Sequence, residues 1–108
     1  MPLYELRTYD VKVGKMRELV KLFQELGFPA MRAGGHDRHL IGFFVADTGN
    51  RNQLLHIWKF NDDADRRQFW EGMYANKDFD EGFAEKARPL LDAQNVQLMH
   101  DAPWGPHP

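Results

Sequence analysis

The segment Gln53–Phe60, QLLHIWKF, alternates with a two-residue period and sets His56, Trp58 and Phe60 together on one side of a strand. That period belongs to a sheet, and a titratable ring between large aromatics on a sheet face suggests a pocket. Leu3–Tyr9, LYELRTY, repeats the pattern, with Glu5, Arg7 and Tyr9 on one face and Tyr4, Leu6 and Thr8 on the other. His39–Asp47, HLIGFFVAD, is rich in strand formers, and Thr48–Asn52, TGNRN, supplies the Gly and Asn of a hairpin into Gln53–Phe60. Gln94–His100, QNVQLMH, reads as a fourth strand, with Val96 and Leu98 on one side and Asn95, Gln97 and Met99 on the other.

Helical periodicity fills the intervals. After a turn at Gly14, Met16, Leu19, Val20, Leu22, Phe23 and Leu26 recur at helical spacing, and Gly27-Phe28-Pro29 is expected to stop that helix. Gly34-Gly35 bends the segment Ala30–Arg38. Asn61 or Asp62 offers an N-cap to a helix with Ala64, Phe69, Trp70 and Met73 on its apolar side. Asp78 caps a further piece that buries Phe79, Phe83, Ala84, Ala87, Leu90 and Leu91 and ends at Pro89. The order β-α-β-β-α-β predicts an α+β, ferredoxin-like fold: a four-stranded antiparallel sheet with helices on one face. Residues 1–100 form this one domain; 101–108, DAPWGPHP, is a Pro-rich tail whose Trp104 is free to pack on a neighbour.

Composition narrows the function classes. A chain of 108 residues has no room for separate catalytic and cofactor domains. Its net charge of −2 gives no general attraction to phosphate backbones or anionic lipid, so nucleic acid is a poor partner. Cysteine is absent, which removes thiolate nucleophiles, disulfides and Cys-based zinc and iron–sulfur sites. No apolar run approaches the ~18 residues of a membrane span, and the expected setting is soluble and cytoplasmic. G-x-S-x-G, P-loop and G-x-G-x-x-G motifs are missing.

Helices on one face leave the other open. The apolar positions predict Leu6, Ile57, Val96 and Leu98 beneath the helices, and Glu5, Arg7, Tyr9, Gly42, Phe44, His56, Trp58, Phe60 and Gln97 on the open face. So many aromatics need covering, yet Glu5, Arg7 and His56 are costly in a dry interface. Two sheets facing each other across a cavity, in a homodimer, reconcile both demands.

These residues resemble the NIPSNAP family, within the dimeric α/β barrels. The resemblance rests on YELRTY at Tyr4–Tyr9, the Gly14 turn, Gly49 through Asn52 to His56-Ile57-Trp58, Ala64-Asp65-Arg66 and Arg88-Pro89-Leu90-Leu91. It covers all but the tail, and the chain departs from the family's pattern at Asn50 and Phe60. It implies a ferredoxin-like subunit whose sheet pairs with a second subunit's to form a barrel. It implies no settled reaction, since the family has no agreed chemistry.

Within such a lumen the candidate catalytic residues are His56 as acid or base, Arg7 as anion stabiliser and Glu5 as the carboxylate that orients His56. Tyr9, Phe44, Trp58 and Gln97 are the candidate ligand-binding residues. The competing structural reading has His56 bonded to Glu5 or backbone and Glu5 paired with Arg7. His36-x-x-His39 has the spacing of a metal pair but no third ligand, so no metal is assigned, and no cofactor is expected. The leading expectation is a homodimer that binds a small aromatic or carbonyl-bearing molecule in its lumen, with cofactor-independent proton-transfer or oxygen chemistry. The alternatives are a non-catalytic scaffold that engages a partner through Trp104, and haem binding through His56.

Overall fold

A computed structural model describes residues 2–108. Strand β1, Leu3–Val11, leads through a left-handed turn at Gly14 (φ 82°) into helix α1, Met16–Leu22. A π-helical turn, Phe23–Gly27, then passes without a break into α2, Phe28–Ala33. Gly27-Phe28-Pro29 therefore does not end the helix. Pro29 falls in the first turn of α2, immediately after the π turn, where the regular hydrogen-bond ladder is already interrupted. Gly27 serves close packing instead: a Cβ there would lie 2.8 Å from the Phe83 ring. The stop comes at Gly35, whose φ of 72° suits glycine.

A 3-10 turn, His36–His39, precedes β2, Leu40–Val45, which forms the expected hairpin with β3, Gln53–Phe60. Helix α3, Asp63–Ala75, is capped by Asp62, whose carboxylate accepts from the Asp65 N–H at 2.8 Å. The next helical run is capped by Asn76 rather than Asp78: Asn76 Oδ1 accepts from the N–H groups of Asp78 and Phe79. It consists of α4, Lys77–Phe79, a π turn at Asp80–Ala84 and α5, Glu85–Ala87, closed by a 3-10 turn at Arg88–Leu90 that includes Pro89. Strand β4, Leu91–His100, completes an antiparallel sheet of order β2-β3-β1-β4, the ferredoxin-like arrangement expected.

Register decides which residues share a face, because directly opposed residues point the same way. Glu5 faces Trp58 and Leu98, Arg7 faces His56 and Val96, and Phe43 faces His56. Trp58 and Phe60 pack on Phe69 of α3, with ring centroids 5.0 and 5.2 Å apart. Glu5, Arg7, Tyr9, His56, Trp58 and Phe60 thus lie under the helices, the reverse of the face predicted for them. Leu6 and Ile57 move to the open side, where Gly42, Phe44 and Gln97 stay as expected, and Val96 and Leu98 remain on the helix side.

The aromatic row of β3 is the core itself. It joins Leu19, Met31, Leu54, Phe69, Met73 and Phe83 in one buried cluster. Among the described residues no helix is long and apolar enough to cross a membrane. The tail folds back over one end of the open face, where the Tyr4 hydroxyl donates to the Pro108 carbonyl at 2.9 Å.

Candidate functional site

Two polar groups sit deep on the helix-covered face of the central strands. The first is Glu5, fully buried at 0% exposure. Its Oε2 accepts from Arg7 Nε at 2.7 Å, and its Oε1 accepts from Arg66 Nε of α3. Both oxygens are therefore met by guanidinium groups. Arg7 also lies over Trp70, its Cζ 3.8 Å from the ring centroid. Burial alone would lower the pKa of Arg7, but the hydrogen bond and charge of Glu5 raise it, so it stays cationic. The Tyr9 phenol beside it is pushed up to about 12, by burial first, with Arg7 partly offsetting the rise. Tyr9 is accordingly a neutral hydroxyl.

The second group is His56, 2% exposed. Its Nδ1 accepts a 2.6 Å hydrogen bond from Trp58 Nε1, two residues along the same face of β3. Phe43 stacks on the imidazole with centroids 4.6 Å apart and planes 15° from parallel, and Tyr9 meets it edge-on at 4.9 Å. Burial, and then the charge of Arg7, lower the His56 pKa to about 3, so the ring is neutral at physiological pH. Nε2 has no hydrogen-bond partner among the described residues, and neither does Trp70 Nε1. Trp58, not Glu5, orients the imidazole.

Phe43 has a second exposure. With Phe23, Phe28, Phe44 and Leu54 it walls an apolar cleft of about 470 Å³ between the helical run 16–33 and the β2–β3 hairpin. Its ring therefore separates this cleft from His56. The contacts of Phe23 with Phe43 at 5.2 Å and with Phe83 at 4.5 Å bind the wall to both helical layers.

The predicted residues are partly assembled. Glu5, Arg7, Tyr9, His56 and Trp58 converge, whereas Gln97 lies on the opposite face and Phe44, 54% exposed, reaches only the rim of the cleft. Phe43, Trp70 and Arg66 lie against these residues, although none of the three carries a site role on sequence alone. The neighbouring Phe44 masked Phe43 in the run of β2, and Arg66 and Trp70 are brought in by α3 from far along the chain. The His36 and His39 pair is taken up otherwise: His39 Nδ1 lies 2.9 Å from the Lys59 carbonyl, and His36 meets Phe69 edge-on. Among the described residues no three His, Cys, Asp or Glu side chains gather as a metal would need.

Comparison with known proteins agrees with this architecture. The NIPSNAP family model matches residues 4–106. The chain belongs to the NIPSNAP family. It is 29% identical over 102 residues to the human protein NipSnap homolog 3A, a match that takes in 94% of this chain and 40% of that protein. The mouse homolog 3B is 28% identical with the same coverage, so the chain spans about two fifths of the curated relatives' length. A crystal structure of a NIPSNAP family protein of unknown function from Agrobacterium tumefaciens superposes with a TM-score of 0.87 at 28% identity, covering 97% of this chain and 92% of that one. A NIPSNAP domain protein from Burkholderia xenovorans superposes at 0.85 with 26% identity, covering 97% and 99%. The α+β sheet-and-helix fold is thus that of solved NIPSNAP proteins.

Proposed function

We propose that this NIPSNAP protein binds a small, largely apolar molecule in the cleft between the helical run 16–33 and the β2–β3 hairpin. The observation that carries the reading is Phe43, at once a wall of the apolar cleft and the cover of a buried, half-satisfied histidine. A volume of about 470 Å³ is in the range of small-molecule sites, and walls that are mostly apolar and aromatic are their usual composition. With Glu5, Arg7 and His56 beneath the helices, the binding site moves from a lumen between subunits to a cleft within one. In this reading Glu5 and Arg7 hold the frame, and Phe43 forms the wall of the cleft that backs onto His56. The test is fluorescence titration with N-phenyl-1-naphthylamine, an uncharged apolar probe. Saturable binding that is lost in the cleft-filling variant Val20→Trp, with the melting temperature held, is the expected result. Undiminished binding in that variant would overturn it.

The open sheet face supports a homodimer. Leu6, Leu55, Ile57 and Met99 are only half-buried there and Phe44 is exposed, and an apolar face of this kind is covered in stable proteins. The interface is drier than one carrying Glu5, Arg7 and His56 would be. Sedimentation velocity should give a dimer for the native chain and a monomer for Ile57→Lys; a monomeric native chain would contradict the pairing. A purely scaffolding role shares this dimer but leaves the cleft unused.

A further inference from the structure

We infer that the molecule this cleft takes is an amphipathic acid, with its apolar body among the phenylalanines and one carboxylate left at the mouth, facing Arg17 and Lys21 of α1. The inference rests on the cleft reading and names the ligand class of that same site. The cleft has a direction. Leu54 at its base is buried, whereas Val20, Gln24, Phe44 and Val45 at its rim are exposed. Among the described residues no ionisable side chain lines it, and Gln24 is the one residue of its wall with a polar side chain. A charge carried to the base would go unpaired, which is costly, so a charged group of the ligand stays at the rim beside the Gln24 amide.

The helical run sets the sign of that charge. Residues three and four apart on a helix are neighbours, with about 5–6 Å between their Cβ atoms. Arg17 stands three before Val20 and Lys21 three before Gln24, so both cations flank the rim positions of the run. Both are exposed, and among the described residues neither has an acidic partner. Their flexible stems let the charged heads lean over the rim. Glu18, the one acid of α1, pairs with Lys15 at 3.7 Å. Glu25 lies one turn past Lys21 and does not line the cleft. Beyond Val45, Asp47 and Arg51 of the hairpin loop line a separate hollow and are of opposite sign. An apolar slot with two uncommitted cations at one rim suits a single apolar body that ends in an anion.

The test uses three ten-carbon chains that differ in the head group: decanoate, decan-1-ol and decyltrimethylammonium. Each competes with N-phenyl-1-naphthylamine for the whole chain at neutral pH and low salt. Decanoate should bind about fivefold more tightly than the alcohol, although its head is the more strongly hydrated, and the cation should bind least. Added salt should shrink the preference. In the double variant Arg17→Gln, Lys21→Gln, which alters exposed side chains only, decanoate should fall to the level of decan-1-ol or below it while the alcohol still competes. Equal competition by acid and alcohol in the native protein would overturn the inference and leave the cleft reading intact. So would decyltrimethylammonium binding as tightly as decanoate, the mark of a detergent-like contact, or a preference for the acid that persists in the double variant. Failure of N-phenyl-1-naphthylamine to bind would overturn the cleft reading and the inference with it. The native-protein comparison needs no variant to fold.

Discussion

Glu5 and His56 are buried on the same face of adjacent strands, two residue pairs apart in register, yet their hydrogen-bond status differs. Glu5 is fully met: two guanidinium groups take its two oxygens, and one of them is stacked on Trp70. His56 is met on one nitrogen only. A satisfied buried charge holds elements together, here α3 against β1. Among the described residues the His56 ring bonds only to Trp58 of its own strand and ties no second element to the sheet by a hydrogen bond.

The largest effect should come from breaking the satisfied member. Glu5→Ala leaves the half-buried Arg7 without its carboxylate and, among the described residues, Arg66 with only Asp63, 3.3 Å away, and chemical denaturation should register a loss of about 3–5 kcal/mol. A loss below about 1 kcal/mol would mean that the cluster is ornamental and the contrast false. The pH dependence comes next. In the unfolded chain His56 titrates at its ordinary 6.5, and in the folded chain at about 3. Between these values the unfolded state binds more protons, so this group's contribution is complete above pH 6.5 and is lost as the pH falls toward 3. From pH 7 to pH 5 the native protein should lose about 2 kcal/mol through His56, and the difference between native and His56→Phe denaturation curves isolates that share. An identical loss in both proteins would contradict the burial of His56.

The smallest effect is that of His56→Phe at pH 7. It removes one unpaired donor, Nε2, but deprives Trp58 of its acceptor, so stability should stay within about 1 kcal/mol of native by the same denaturation assay. A loss near that of Glu5→Ala would show that the two groups play equivalent structural parts.

The strand order, the hairpin, the Asp62 cap and the family were legible in the chain because they depend on local periodicity and turn chemistry. The phase of β1 and β3 was not. Charged Glu5 and Arg7 argued against a helix-covered core, and only Arg66, 61 positions from Glu5, supplies the second donor that the buried carboxylate needs. No local pattern announces a counter-charge arriving from another helix. Gly27-Phe28-Pro29 misled for a similar reason, since a helix terminator and a close helix contact look alike until Phe83 is seen against Gly27. The hydrogen bonding of His56 depended on the orientation of Trp58, which a two-residue spacing allows and does not oblige. The expected partnership of Glu5 with His56 gave way to two separate ones.

The most direct measurement is long-range proton–nitrogen NMR of the His56 imidazole from pH 7 down to pH 4. The account predicts a neutral ring protonated on Nε2, with Nδ1 as the accepting nitrogen, unchanged across the range. A ring protonated on Nδ1, or one that titrates near its ordinary 6.5, would contradict it.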